Sequence, residues 1–174
     1  MTNATEEIGE RIIELLPRLR RFARSLSRNQ YDADDLVQSA VERAWKNSAQ
    51  LRPGANLGSW MFGIMKNAWV DNLRVARRRA EVPLPEDSGS HPAISPADTN
   101  AQRWAVSEAM SKLPEDQRLA IALVLVEGMS YKEAAEVLEI PIGTLTSRLA
   151  RGRAVLAAAL SDDHYSTEGG GAPA

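Results

Sequence analysis

The segment SYKEAAEVLEIPIGTLTSRLARGR, residues 130–153, has the pattern of two short helices joined by a tight turn. Ser130 and Glu133 have the spacing of a capping box, a reciprocal pairing that marks the first turn of a helix. The residues EIPIG turn the chain, and from about Ile142 a second helix follows that carries three arginines and no acidic residue. This order is typical of a helix-turn-helix, so the segment predicts a motif that binds duplex DNA.

The predicted second helix has two different faces. Its apolar stripe, which is expected to be buried, consists of Ile142, Leu145, Leu149, Gly152 and Leu156. The other side carries short hydroxyl groups, which let the DNA approach, and guanidinium groups, which bond base edges or phosphates. A solvated helix face would also carry arginines, so the interpretation depends on the capping box and the turn as well. The residues expected to contact the duplex are Thr144, Thr146, Ser147, Arg148, Arg151 and Arg153.

The remaining sequence predicts an all-α fold with two small helical domains, at 8–80 and 101–160. Residues 81–100 hold four of the nine prolines and few apolar side chains, so they predict a flexible linker between the domains. Residues 161–174 are rich in glycine and charge, and they predict a disordered tail. No alternation typical of β-strands occurs in either domain.

The helix boundaries follow from capping and breaking residues. The first helix contains Pro17, and the second is expected to begin with Asp32 as its N-cap. In the second domain Pro114 is expected at the first position of a helix that ends near Gly128. Helical spacing predicts that the second helix buries Leu36, Val37, Ala40, Val41, Ala44 and Trp45.

Composition excludes several classes of function. The chain has no cysteine and two histidines, which argues against disulfides, a zinc site and histidine-based catalysis. No run of residues approaches the ~20 apolar residues of a membrane span, and the first residues do not resemble a secretory signal. We find no phosphate-binding glycine loop and no nucleophile motif. The expectation is a cytoplasmic protein that is not an enzyme, with no metal, cofactor, small-molecule substrate or membrane partner.

The charge is uneven, and this favours a nucleic-acid partner for the first domain. Residues 1–80 hold 14 Lys and Arg against 9 Asp and Glu, although the whole chain has a net charge of −2. The segment GSWMFGIMKNAWVDNLRVARRR, 58–79, combines aromatic side chains with increasing positive charge, which suits single-stranded nucleic acid. Trp60 is expected in the core, whereas Phe62 and Trp69 are candidates for either core packing or base stacking.

Three stretches resemble bacterial RNA polymerase sigma factors of the extracytoplasmic-function type. They are DADDLVQSAVERAW (32–45) and LGSWMFGIMKNAWVDNLRVARRR (57–79), which resemble region 2, and LPEDQRLAIALVLVEGMSYKEAAEVLEIPIGTLTSRLARGRAVL (113–156), which resembles region 4. The resemblance covers nearly all of both predicted domains, in the family's order. Pro141 departs from the small polar residue that usually opens the family's recognition helix.

The resemblance implies an alternative sigma factor that binds core RNA polymerase and directs promoter-specific initiation. Region 4 would read the minus-thirty-five element as duplex, and region 2 would melt the minus-ten element and hold a flipped base of the non-template strand near residues 49–58. An anti-sigma factor is implied as a further partner. The implied minus-ten contacts are Asn56, Lys66, Asn67, Arg74, Arg77 and Arg78. The implied contacts with core polymerase are Asp35, Gln38 and Glu42, which share one side of their helix at spacings of three and seven residues.

Two other functions fit the same residues. A stand-alone helix-turn-helix regulator would use the second domain in the same way, and the first domain would serve packing or dimerisation. A sigma-like decoy would bind an anti-sigma factor without reading a promoter.

Overall fold

The computed structural model describes residues 4–81 and 101–167, and within them the chain forms helices and no strand. A 3-10 turn at Ser48–Gln50 follows the second helix, and a π-helical turn at Ala122–Val126 continues the fifth. The α-helices are α1 Ala4–Leu26, α2 Gln30–Lys46, α3 Leu57–Glu81, α4 Ala101–Ser111, α5 Glu115–Ile121, α6 Tyr131–Leu138 and α7 Ile142–Thr167. The predicted all-α fold is confirmed.

The first domain is built from α1, α2 and α3, which enclose large apolar side chains. Phe22 of α1 and Phe62 of α3 are both fully buried, and their rings meet edge to face with centroids 5.1 Å apart. This is a favoured geometry for two aromatic rings, because the positive edge of one faces the negative face of the other. Pro17 lies inside α1, which continues on both sides of it.

In the second domain α7 packs directly against α5. Leu145 and Leu149 of α7 are buried, as their place in the apolar stripe predicted. Gly152 is buried too, and a Cβ atom at this position would lie 2.9 Å from Cγ1 of Ile121. Glycine therefore permits an approach of the two helices that a larger residue would prevent. Ile142, predicted in the same stripe, is the first residue of α7 and is half exposed.

Two predicted caps meet different outcomes. Ser130 and Glu133 form the predicted capping box at the start of α6, and the hydrogen bonds from Ser130 to the carboxylate lower the pKa of Glu133. The prediction for Asp32 was wrong. Asn29 caps α2, with its Oδ1 accepting from the backbone N–H of Asp32 at 2.8 Å and its Nδ2 donating to the Asp32 carboxylate at 2.9 Å. Asp32 therefore lies within the first turn, where a carboxylate also favours the helix dipole.

Other boundaries and burials also differ from the expectations. Pro114 is the N-cap of α5 and lies one residue before its predicted position, while Gly128 has the positive φ of 69° expected after a helix. Trp45 is 50% exposed, although its ring lies against Gly9 of α1. The contact with α1 therefore covers only part of this large side chain.

The predicted linker and tail fall largely outside the described residues. This holds for 82–100 and for 168–174. The helix α7 continues to Thr167, beyond the boundary at 160 that the sequence predicted, through a stretch that begins with three alanines, the strongest helix formers.

The two domains pack against each other. Their buried side chains form one continuous cluster, in which α1 meets the π-helical turn and α3 meets α6. In residues 4–81 and 101–167, no helix has the length and apolar content needed to cross a bilayer.

Candidate nucleic-acid interface

The outer face of α7 presents the hydroxyl groups predicted to meet duplex DNA. Thr144, Thr146 and Ser147 are exposed. The hydroxyl of Thr146 donates to the carbonyl of Ile142 at 2.9 Å, and that of Ser147 donates to the carbonyl of Gly143 at 3.1 Å. These bonds fold both side chains against the helix, so the surface stays low and a DNA backbone could approach closely.

The arginines of α7 differ in their surroundings. Arg148 lies over α5, where its Nε is 3.3 Å from the Asp116 carboxylate, and its side chain is 27% exposed. Arg151 and Arg153 are exposed, and within the described residues neither has an ion pair. The structure therefore holds one guanidinium in place through the neighbouring helix and leaves two extended toward solvent.

A cleft of about 500 Å³ lies between α3 and α6. Lys66 and Asn67, two of the implied minus-ten residues, line its first-domain side together with Trp60. Glu139 lines the opposite side, and its carboxylate is 3.1 Å from the Lys66 ammonium, whose side chain is only 11% exposed. The cleft brings an amide, a cation and an aromatic face together, which is the chemistry that a single strand requires.

The other implied minus-ten residues lie along α3 on both sides of the cleft. Asn56 precedes the helix, and its Oδ1 accepts a hydrogen bond from the Ser59 backbone at 3.1 Å. Arg74 is 3.8 Å from Asp71, and Arg77 pairs with Glu115 of the second domain. Lys66 and Arg77 are eleven residues apart, which is about 16 Å along a helix, so these cations could follow a strand over several nucleotides. Arg78 is exposed in the last turn.

The aromatic side chains are placed differently from the expectation. Phe62 and Trp69 are buried at 0% and 5% exposure, so neither can stack on a base in this structure. Trp60, expected in the core, is only partly buried and lines the cleft. Helical spacing could not separate these three residues, because the side of α3 that carries Trp60 meets α6 and not the centre of the first domain.

The implied polymerase-binding residues share one exposed side of α2. Asp35, Gln38 and Glu42 are all exposed, and Gln38 Nε2 donates to Glu42 Oε1 at 3.1 Å. Gln38 and Glu42 also line a groove with Arg20 and Arg24 of α1. The surface therefore alternates carboxylates and guanidinium groups, which suits a charged partner.

Comparisons with known proteins identify the family of this chain. The pattern of Sigma-70 region 2 matches residues 12–79, and that of Sigma-70 region 4 matches residues 103–156. The chain belongs to the ECF RNA polymerase sigma factors. It is 37% identical over 163 residues to the ECF RNA polymerase sigma factor EcfG of Rhodopseudomonas palustris, covering 91% of this chain and 88% of the relative.

Two further proteins show the same relationship. The ECF RNA polymerase sigma factor SigM of Mycobacterium tuberculosis is 39% identical over 142 residues, covering 80% of this chain and 69% of that protein. The sigma factor RpoE of Bartonella quintana, solved in complex with the anti-sigma factor NepR, is 32% identical with a TM-score of 0.75, over 90% of this chain and 98% of the other. The resemblance inferred from the sequence is confirmed, and this sigma factor acts in transcription initiation.

Within this sigma factor, region 2 contains α1 to α3 and region 4 contains α4 to α7. The groove on α2 and the α3 side of the cleft belong to region 2, whereas the α6 side of the cleft and the hydroxyl-bearing face of α7 belong to region 4. Sequence reasoning missed several members of the cleft, among them Arg43, Asn47 and Glu139. Glu139 has a positive φ of 57°, and because such positions usually hold glycine or asparagine, its sequence carried no signal for the turn.

Proposed function

We propose that this ECF sigma factor docks on core RNA polymerase through Asp35, Gln38 and Glu42 and directs it to promoters. The face of α7 reads the minus-thirty-five element in the major groove. The cleft beside α3 receives the melted non-template strand of the minus-ten element, and the cations of α3 follow its backbone. The observation that carries the proposal is the presence, in one chain, of a duplex-type face on α7 and of an aromatic face beside a lysine and an amide on α3, on separate domains.

The chemistry of each face supports its assignment. Arginines beside short hydroxyl groups suit base edges and phosphates of a duplex, whereas an aromatic face beside a lysine and an amide suits exposed bases. The exposed carboxylates of α2 suit a partner rich in arginine, because hydrogen bonds between charged groups are the stronger kind.

The proposal extends to partners and location. RpoE of Bartonella quintana was solved with an anti-sigma factor, and we infer that an anti-sigma factor also binds this sigma factor. We further infer that it works in the cytoplasm, where RNA polymerase is found, and that it has no catalytic activity of its own.

Transcription by a reconstituted holoenzyme tests the proposal. The purified protein is added to core RNA polymerase with a DNA library that is randomised at both promoter elements, and the transcripts are sequenced. We expect transcripts that start downstream of one enriched pair of elements, and none when the protein is omitted. Duplex binding without polymerase binding would instead indicate a stand-alone regulator. Anti-sigma binding without either would indicate a decoy.

A further inference from the structure

Among the described residues, Glu127 is the one charged residue that is buried. It follows the π-helical turn of region 4, and its side chain is 0% exposed. Its carboxylate accepts hydrogen bonds from Arg18 Nε at 3.2 Å and from Arg21 Nε and an Arg21 terminal nitrogen at 3.0 Å each. Both arginines belong to α1, more than 100 positions earlier in the chain.

The ion-pair partners of this buried charge therefore come from the other domain. A buried carboxylate is tolerated only when cations and hydrogen-bond donors compensate the loss of water. Because region 2 supplies those donors, the environment of Glu127 is complete only while the two domains are in contact. The bidentate arrangement with Arg21 also fixes the orientation of region 4 on α1.

Further contacts between the domains use cations that are assigned to promoter DNA. Lys66 pairs with Glu139 across the cleft, and Arg77 pairs with Glu115 at the start of α5. Each carboxylate of region 4 thus lies where a phosphate of the minus-ten strand is proposed to bind. Arg118 makes a further contact between the domains, in which its guanidinium donates to the carbonyl of Leu26 at 3.3 Å. Neither residue is among those assigned to DNA.

This arrangement does not fit a promoter. The minus-thirty-five and minus-ten elements are named for their positions, which lie about 25 base pairs apart, or about 85 Å of DNA at 3.4 Å per base pair. Here α6 lies directly against α3, and the whole of α7 is only ~39 Å long. The domains must separate before α7 and the cleft can reach their two elements.

We propose that Glu127 and its two arginines latch the sigma factor in a closed, autoinhibited state. In this state the carboxylates of region 4 occupy the cations of the minus-ten site, and single-stranded DNA reaches these cations only after the latch opens. The inference rests on the proposed function for the role of opening, whereas the latch itself rests on the ion pairs alone.

Distance measurements on the full chain test the latch. The natural chain has no cysteine, so spin labels can be attached at Glu10→Cys on α1 and Ala158→Cys on α7, both exposed positions. Glu127→Gln keeps the size of the side chain and removes its charge. We expect it to lengthen the distance between the labels and to raise the ratio of open to closed molecules by about 5- to 30-fold. Its affinity for a single-stranded DNA oligonucleotide should rise with that ratio, because Lys66 and Arg77 lose their carboxylate partners.

Two further variants make the result decisive. Arg21→Gln opens the latch from the other side and changes a side chain that is 53% exposed, so it serves if Glu127→Gln does not fold. Glu108→Gln removes an exposed charge of region 4 that has no ion pair with any residue in 4–81 or 101–167, and it should behave like the natural protein.

Three outcomes would overturn the proposal. They are long distances in the natural protein, unchanged distances in normally melting latch variants, and open variants whose affinity for single-stranded DNA does not rise. The distances are measured without polymerase or DNA. A natural protein that closes but gives no promoter-specific transcript would therefore contradict the proposed function and leave the latch intact.

Discussion

Single residues in this sigma factor depend on partners that lie far away in the sequence. Arg148 is held by Asp116 of α5, and Lys66 by Glu139 of the turn before α7. Residue type and position led us to predict that Arg148 and Lys66 contact nucleic acid. The partner determines whether such a cation is extended, as in Arg151, or held against a neighbouring helix.

The first prediction concerns the arginines of α7. Replacement of Arg151 by alanine should weaken recognition of the minus-thirty-five element by about 1–3 kcal/mol if its guanidinium contacts a base. If it contacts a phosphate, affinity should fall equally on all sequences and depend less on salt. Replacement of Arg148 by alanine also leaves Asp116 without its ion pair, so the loss of affinity at Arg148 is compared with the loss at Arg151. The measurement is duplex binding at several salt concentrations with matched and altered upstream elements.

The control for these variants is Arg103→Ala, which removes an exposed arginine of α4 outside the proposed surface. It should leave the sequence preference unchanged. Normal promoter recognition after loss of both Arg148 and Arg151 would remove these residues from the site.

At the scale of elements, the position of a helix depends on how closely its side chains let it pack against its neighbours. The apolar stripe of α7 faces α5, and the absence of a side chain at Gly152 lets the two helices come close to Ile121. This contact fixes the rotation of α7 about its axis. The proposed DNA-binding face points to solvent as a consequence.

The second prediction tests this contact with a pair of glycines. Gly152→Ala should destabilise the protein by about 1–3 kcal/mol, because its new methyl group meets Ile121 at 2.9 Å. Gly143→Ala is the matched control in the same helix, since nothing lies within 4 Å of the added atom. It should be neutral or stabilising by up to about 1 kcal/mol, since alanine favours a helix. Urea unfolding of both variants gives the comparison, and equal stabilities would contradict the proposed close packing.

The third prediction concerns the exposed side of α2. Replacing Asp35 and Glu42 together by lysine should reduce affinity for core polymerase in a salt-sensitive way, because the new charges repel a basic partner. Folding should change little, since exposed substitutions usually alter stability by about 0.5 kcal/mol or less. Polymerase binding is measured beside a melting curve, with Glu108→Lys as control. Natural affinity in a folded double variant would favour the stand-alone regulator.

On the scale of the whole molecule, the contact between the domains unites the two cores. Buried apolar side chains and the ion pairs of Glu127 both contribute to it. Arg118 takes part as well, because its Cζ lies over the ring of Trp69 in the other domain, 5.7 Å from the ring centre. Burial also lowers the pKa of the Arg118 guanidinium. Such contacts should keep the domains together even when the chain between them is cut.

The fourth prediction follows from that association. Limited proteolysis should cut within 81–100, where proline and the lack of apolar anchors predict an accessible chain. The two fragments should then elute together in size-exclusion chromatography and separate in the Glu127→Gln variant. Resistance to cleavage, or unfolding of either fragment, would contradict the division into two domains.

The sequence by itself determined the helices and the family. Apolar spacing, the capping box at Ser130 and Glu133 and the turn at Gly128 are local signals, because each depends on residues within a few positions. They were enough to predict an all-α fold, a helix-turn-helix and most of the surfaces described above.

Only the tertiary structure decided which of these groups are available. Trp60, Lys66 and Trp69 all lie on one amphipathic helix, α3. Trp60 nevertheless lines the cleft, Trp69 is buried, and Lys66 is covered by Glu139. Glu127 looks like an ordinary exposed acid in its own segment. Its burial depends on Arg18, which is 109 positions away in the sequence. Local patterns span only a few residues, so they cannot reveal that folding brings these two domains into contact.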